Sequence, residues 1–358
     1  MDLTLDDRLA AFAQTGRTFA HFAAAKTWPG PVCGLTRDEY AAFDRAIHEA
    51  GVRNPWFTEE NVRHMLGALA YLLEEPALRA WAARYPTGGA ACTVGIVMAG
   101  NVPLVGFHDL LCVLVAGHRA RVKCATDDRV LIPAVVDLLE RFAPPIRARV
   151  AIAEGRLGEV DAVIATGSTN TARYFEHYFG HLPRIVRKGR VSVAVLDGSE
   201  TDAELAALGE DVFRYFGLGC RNVSKLYVPH DFDPDLIFRA LLPWKAIIDH
   251  PKYANNYDYN RAVWLLDKVP FLENGFLQIK EDRALASPVA ALHVERYTDR
   301  AAVNAELDAN AGGIQCIVGH GHLPFGSAQW PRIDGYADGV DTMAFLGRLP
   351  HAGTRVMA

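Results

Sequence analysis

One segment gathers the residue types that a nucleophilic site needs: Phe216-Gly217-Leu218-Gly219-Cys220-Arg221-Asn222-Val223-Ser224-Lys225. Two glycines free the backbone just before a cysteine, and Arg221 and Lys225 follow it. A thiol near helix N–H groups and cations has a lowered pKa and is the better nucleophile. Free cysteines are more often buried small hydrophobes. That reading suits Cys112 and Cys124, which sit in apolar runs, and fits Cys220 poorly. Cys33, Cys92 and Cys316 also stand singly, and no CxxC pair occurs. Scattered thiols of this kind predict a reduced, cytoplasmic protein.

Two further turns could carry chemistry. Ala99-Gly100-Asn101-Val102-Pro103 directly follows the apolar run 92–98. A side-chain amide at a strand end can donate to a developing oxyanion, although an isolated Asn101 could equally cap the next helix. In Ala165-Thr166-Gly167-Ser168-Thr169-Asn170, small residues let backbone N–H groups and a hydroxyl approach a phosphate at a helix start. Such turns also serve as ordinary caps. GxGxxG and the Walker pattern are both absent, so a bound nucleotide would be held in another way. Cys316, His320 and His322 hint at a metal but offer no fourth ligand at a recognisable spacing, so no metal is expected. Arg184, Arg187, Lys188 and Arg190 read as a basic turn, either solvated or facing a phosphate. No Gly-x-Ser-x-Gly elbow is present.

The elements that must position these turns follow from periodicity. Residues 1 to about 85 read as successive helices, with Thr36-Arg37-Asp38-Glu39 and Thr58-Glu59-Glu60-Asn61 as N-terminal signals. Pro86-Thr87-Gly88-Gly89 then breaks the pattern. Residues 92–98 form a continuous apolar run, expected of a strand buried on both faces. An apolar helix follows and stops at Gly117, as glycine favours. Residues 119–123, 150–152, 161–166 and 192–196 read as strands, with helices over 128–142 and from about 171. Beyond a helix at 203–217, residues 225–228 and 315–318 are further strands. Strands alternating with helices predict an α/β fold with parallel, doubly wound sheets. Two lobes are expected: a helical segment with a Rossmann-like cofactor-binding domain over 1–196 and a catalytic domain over 197–330. Residues 331–358 are expected to return toward the first domain or an interface.

Composition narrows the function. The chain has 358 residues and a formal net charge of −5, enough length for two domains and no global basic field for nucleic acid. The N-terminus is acidic with helical spacing and carries no basic-then-apolar signal pattern. The longest apolar stretch, residues 110–117, is far shorter than the ~20 residues a membrane span needs.

Taken in order, the turns are more telling than singly. A strand ending in Gly-Asn-x-Pro, then AGxxxxxK, then TGS, then Gly-x-Cys before a strand, resembles the aldehyde dehydrogenase superfamily. More closely, GNVPLVGFHDLLCVLVAGH, DAVIATGSTNTARYFEHYFG, RKGRVSVAVLDGSE and FRYFGLGCRNVSKLYVP resemble the LuxC-type acyl-CoA reductases. The likeness runs over residues 95–229 and continues faintly at Pro288-Val289 and Pro324-Phe325-Gly326. It implies an aldehyde dehydrogenase-like fold with Cys220 as the acyl-accepting nucleophile. Asn101 and the Cys220 backbone N–H would form the oxyanion hole. Lys123 would meet the adenosine ribose of the cofactor, and Gly167, Ser168 and Thr169 its pyrophosphate.

Departures from the superfamily pattern sharpen the expected chemistry. Hydrolytic members carry a glutamate in a segment that here reads Ile185-Val186-Arg187-Lys188-Gly189-Arg190, and no carboxylate occurs between Glu176 and Asp197. Without that base a thioester is spared from water and can exchange with CoA and accept hydride. The stretch Ala284-Leu285-Ala286-Ser287-Pro288-Val289 likewise lacks the acid that relatives place on the nicotinamide ribose. NAD-preferring relatives carry a glutamate where Thr126 stands here, so NADPH is expected, with NADH as second choice and CoA as leaving group. The acyl donor is expected to be a fatty acyl-CoA or an acyl carrier protein thioester. A homo-oligomer or an acyl-transferring partner enzyme would fit such a protein. The rival is an acyltransferase or thioesterase that uses Cys220 with a base such as His108, His177 or His181. An acyl channel is sought among Trp244, Tyr253, Tyr257, Tyr259 and Phe271, where plain core packing is the commoner explanation.

Overall fold

Four helices open the chain: α1 (Leu5–Ala24), α2 (Arg37–Arg53), α3 (Glu59–Leu72) and α4 (Glu75–Ala82). Thr36 caps α2 in a reciprocal capping box with Glu39, and the Thr58 hydroxyl accepts from Asn61 N–H at the start of α3. Each cap is worth ~1 kcal/mol. The computed structural model describes residues 3–24, 27–86, 90–167 and 169–349, so Thr87, Gly88, Gly89 and Ser168 lie outside the described residues. The chain divides into two units, residues 1–188 with 331–358, and residues 189–330.

The first unit is built on β1 (Thr93–Val97), α5 (Phe107–Val115), β2 (Arg119–Lys123), α6 (Leu131–Phe142), β3 (Val150–Ile152), β4 (Ala162–Thr166), α7 (Thr169–Tyr178) and β5 (Arg184–Arg187). The strands pair in parallel in the order β3-β2-β1-β4-β5. The chain winds outward from β1 in both directions, which puts the topological switch point, where open α/β sheets bind ligands, at the carboxyl ends of β1 and β4. β1 and α5 are buried because almost every side chain is apolar, and Gly117 ends α5 at φ 93°. Phe12, Phe19 and Phe107 meet edge-on or tilted inside the core shared by α1, α5 and the sheet.

Residues from Pro331 onward belong to this unit and include α12 (Thr342–Leu346), numbered last in chain order. Trp81 Nε1 donates to the Tyr336 hydroxyl at 2.8 Å, and the Tyr85 hydroxyl donates to Asp341 at 2.9 Å. These bonds satisfy polar tips carried on buried aromatic bodies.

The second unit contains β6 (Val191–Val195), α8 (Asp202–Phe213), β7 (Val223–Pro229), α9 (Asp235–Ala240), α10 (Pro251–Leu266), β8 (Leu272–Glu273), β9 (Gln278–Glu281), β10 (Ala291–Tyr297), α11 (Arg300–Ala309) and β11 (Ile314–Val318). Its strands run β11-β6-β7-β10-β9-β8, parallel apart from β8. The boundary therefore falls between Lys188 and Gly189, eight residues before the expected one at 196. The strand at 191–195 belongs to the second sheet because it pairs with β7 and β11. Two parallel-sheet lobes with a helical N-terminal segment match the α/β class read from sequence. No helix among the described residues is long and apolar enough to cross a membrane.

Candidate functional site

Register brings three of the sequence-selected turns to one edge of the first sheet. Val97 of β1 lies level with Lys123 of β2 and with Ala165 of β4. Asn101, Lys123, Thr126 and Gly167 therefore all leave the same carboxyl edge. Asn101, Lys123 and Thr126 are exposed and Gly167 is half-buried. A Cβ on Gly100 would stand 2.6 Å from the Cβ of Ala125, so the turns after β1 and β2 approach as only glycine allows. A Cβ on Gly167 would come within 3.0 Å of Thr171, which lets α7 start tight against the end of β4. Thr169 is the first residue of α7, and its side chain lies outside the described atoms.

The Asn101 loop is held from below. Leu104, at φ 55°, donates its N–H to Asp128 Oδ2 at 3.2 Å. Asp128 is buried, its Oδ1 has no partner among the described residues, and burial pushes its carboxyl up to about 6.

Cys220 belongs to the second unit, half-buried in the turn that enters β7. The chain reaches it through Tyr215, Phe216 and Gly217, all with positive φ (55°, 58° and 75°). Left-handed backbone costs roughly 1–2 kcal/mol at each residue that carries a Cβ, and such strain persists only where the surroundings over-determine it. Tyr215 and Phe216 are buried, and Phe216 packs against His250 with ring centroids 4.3 Å apart. The Cys220 carbonyl accepts from Ser192 Oγ at 3.0 Å. Ser192 Oγ also meets Cys316 Sγ at 3.0 Å, and burial raises the Cys316 thiol pKa despite the Ser192 bond and the nearby Arg221.

Two residues of this loop's support escape sequence reasoning. Asn222 is 2% exposed, and its amide bonds both the end of α8 and Gly219 N–H. Asp211 of α8 is fully buried and accepts from Gly326 N–H at 2.6 Å and Ala328 N–H at 2.8 Å, tying the Pro324-Phe325-Gly326 turn to the helix. Burial pushes its carboxyl up to about 6 as well. A polar residue beside Cys220 and an aspartate in an amphipathic helix look solvated in sequence; the only signal for Asn222 is its place two residues after the cysteine.

Other expectations need correction. The basic turn is the strand β5, and Arg187 is 2% exposed rather than solvated. Its guanidinium donates to Asp109 at 2.6 Å, to the Thr342 hydroxyl at 2.8 Å and to the Ala337 carbonyl at 2.6 Å. Lys188 pairs with Glu176 at 3.0 Å. His108 faces the Ile333 carbonyl at 2.8 Å in the first unit, where His177 and His181 are exposed. Of the proposed channel aromatics, Tyr259 is exposed, Trp264 covers Phe271, Trp244 covers Phe213, and Tyr253 and Tyr257 are buried with their hydroxyls bonded to Phe276 O and Glu273. They pack as core and surface.

Cys316, His320 and His322 have separate partners. A different trio, Asp197, Glu200 and His320, has ligand atoms within 4.8 Å of one another. Both His320 nitrogens already face carboxylates, Asp197 at 2.9 Å and Glu204 at 3.0 Å. Those bonds raise the His320 pKa.

No family model and no curated protein matches the sequence. Solved structures do. The chain is similar to the aldehyde dehydrogenase KauB from Pseudomonas aeruginosa at 15% identity, with TM-score 0.59 over 88% of this chain and 73% of that one. Indole-3-acetaldehyde dehydrogenase in complex with NAD+ gives 16% identity and TM-score 0.59 over 88% and 73% of the two chains. The Delta-pyrroline-5-carboxylate dehydrogenase from Mycobacterium tuberculosis, bound with NAD, gives 15% and 0.59 over 96% and 77%. Identities this low speak to architecture alone. The fold is that of the aldehyde dehydrogenases, with the candidate oxyanion and cofactor turns on one unit and the candidate nucleophile on the other.

Proposed function

We propose that this chain is an acyl-thioester reductase of the LuxC type, which takes an acyl group from a fatty acyl-CoA or acyl carrier protein onto Cys220 and releases it as an aldehyde. One observation carries the reading. In the segment where hydrolytic relatives hold a water-activating glutamate, residues 185–190, this chain has no carboxylate, and its Arg187 is buried and bound to Asp109, Thr342 and Ala337. Glu176, the last carboxylate before it, is engaged by Lys188. An acyl-enzyme without that glutamate is spared from water and survives long enough to be reduced.

The first sheet's carboxyl edge suits a nicotinamide dinucleotide. Gly100 and Gly167 leave no room for side chains at two of its turns, while Lys123 and Thr126 stand exposed beside them. Gly167, Ser168 and Thr169 would hold the pyrophosphate at the start of α7, and Lys123 the adenosine ribose. NADPH is favoured over NADH. Thr126 can donate to a 2′-phosphate, and Asp128, one of two neighbouring carboxylates that would repel it, is turned inward. Bound there, the reduced cofactor supplies a hydride.

The chain's own residues do the rest. The Cys220 thiolate attacks the thioester carbonyl, and the oxyanion accepts hydrogen bonds from the Asn101 amide and the Cys220 N–H. The carbon–sulfur bond to CoA breaks and CoA leaves as its thiolate. After reduction, the bond from carbon to Cys220 breaks, the oxygen re-forms its double bond, and the free aldehyde departs. Each oxyanion donor is worth ~2.7–4 kcal/mol of barrier.

A rival without the redox step keeps Cys220 as an acyltransferase or thioesterase nucleophile. His250, packed on Phe216, is the one observation in its favour, yet its Nδ1 already accepts from Tyr253 N–H at the start of α10. Absorbance at the NADPH band, followed with acyl-CoA present, separates the two. The reductase oxidises NADPH and the Cys220→Ala variant does not, while still binding the cofactor. CoA release without NADPH oxidation would establish the rival.

A further inference from the structure

We infer that Asn222 is the positioning residue of the nucleophile loop, orienting the Cys220 peptide through the turn it closes; this rests on the reading of Cys220 as nucleophile. Helix α8 stops at Phe213 and leaves its last carbonyls without intrahelical donors. Asn222 Nδ2 supplies them, donating to Arg214 O at 2.8 Å, Asp211 O at 3.0 Å and Val212 O at 3.4 Å. Its Oδ1 accepts from Gly219 N–H at 2.8 Å. Its backbone N–H donates to Gly219 O at 3.0 Å. Both polar groups of Gly219 therefore bond to one residue, and Cys220 and Arg221 are the two residues inside that turn.

Peptide planarity carries this to the chemistry. Gly219 C=O and Cys220 N–H share one trans peptide plane and point in opposite directions. Binding the Gly219 carbonyl to the Asn222 N–H turns the Cys220 N–H outward from the turn, the orientation an oxyanion donor needs. The next peptide is fixed as well, because Cys220 O accepts from Ser192 Oγ and Asn222 O accepts from Ser192 N–H at 3.2 Å. Through Arg214 O the same amide also holds the start of the left-handed run over Tyr215, Phe216 and Gly217, beside the burial of the two aromatic side chains. A buried amide that bonds the end of α8 with its N–H₂ and Gly219 with its oxygen ties the loop to the helix and sets its geometry.

The test compares wild-type protein with Asn222→Ala and Asn222→Asp. Iodoacetamide labelling of Cys220, quantified by mass spectrometry against Cys220→Ala, reads thiol presentation without turnover. Release of CoA in a single turnover of acyl-CoA reads acylation, and fluorescence titration reads NADPH binding. Asn222→Ala should slow acylation ten- to a hundred-fold, alter the pH profile of Cys220 labelling, and leave NADPH affinity within twofold. Asn222→Asp keeps the shape and the acceptor for Gly219 N–H, and regains a donor when protonated. Its acylation rate, as a ratio to wild type, should therefore recover as pH falls, and it serves if the alanine variant does not fold. Wild-type rates and an unchanged labelling profile in a folded Asn222 variant would overturn the assignment of Asn222 alone. Failure of wild-type Cys220 to label selectively would overturn both the assignment and the reading beneath it.

Discussion

In the first unit the loop carrying Asn101 is held from outside, by the buried Asp128 that precedes α6 and accepts from Leu104 N–H with one oxygen. In the second unit the loop carrying Cys220 is held chiefly from within, by Asn222 two residues on, while the buried Asp211 anchors the neighbouring 324–328 turn with both oxygens. The first arrangement leaves Asp128 Oδ1 without a partner among the described residues, and the second spends every polar atom that Asn222 has. The contrast has a chemical sense. A side-chain donor, the role proposed for Asn101, needs only to reach the oxyanion. A nucleophile whose own N–H must also face that oxyanion needs its peptide planes fixed beforehand.

The largest expected effect falls on the donor role proposed for Asn101. Asn101→Ala should lower the single-turnover acylation rate by ~10²–10³, the usual effect of losing one oxyanion donor, with NADPH affinity unchanged. A loss under threefold would mean that Asn101 caps backbone and that the second unit supplies the oxyanion hole unaided.

The two carboxylates come next. Each titrates near 6 in the folded chain, against ~3.9 for an unperturbed aspartate. Between those values the folded chain binds protons that the unfolded chain does not. Stability from each group therefore rises as pH falls from about 6 to about 4 and is level on either side, by at most ~3 kcal/mol. Urea unfolding of wild type against Asp128→Asn and Asp211→Asn reads the difference. At pH 7 Asp128→Asn should be neutral or stabilising, since it removes a poorly partnered buried charge. Asp211→Asn should cost ~1–3 kcal/mol, because its new amide N–H₂ faces the Gly326 or Ala328 N–H. Equal costs would break the comparison.

The smallest effect concerns selectivity. Thr126→Glu should weaken NADPH several-fold relative to NADH by placing a charge beside the 2′-phosphate, the order of a surface interaction worth ~1 kcal/mol. An unaltered NADPH to NADH ratio would remove Thr126 from cofactor choice.

Much of the scaffold was legible because its signals are local. The strands at 93–97, 119–123 and 162–166 are short runs of fixed length, and Thr36 and Thr58 cap the helices their sequence marks. What escaped depends on partners distant in sequence. Which sheet a strand joins is not written in its own residues, so β6 reads as a continuation of the first series while it pairs with β7 and β11. β5 reads as a basic turn because its last arginine is neutralised by Asp109, 78 residues earlier. β9 and β10 carry Lys280, Glu281, His293 and Glu295, whose charges hide a buried sheet; Lys225, fully buried on β7, bonds to Glu295 at 2.5 Å. Cys220 was singled out by its glycines and by Arg221 and Lys225, yet Lys225 is spent on Glu295 rather than on the thiol. Asn222 was not, because its role lies in carbonyls that only the end of α8 exposes.

The central claim is tested most directly by weighing the Cys220 peptide after the protein meets a long-chain acyl-CoA without cofactor. The account predicts one acyl group in thioester linkage on Cys220, stable to water over the assay and discharged as aldehyde when NADPH is added. An unmodified Cys220, an adduct on another cysteine, or an acyl-enzyme that hydrolyses at once and ignores NADPH would contradict it.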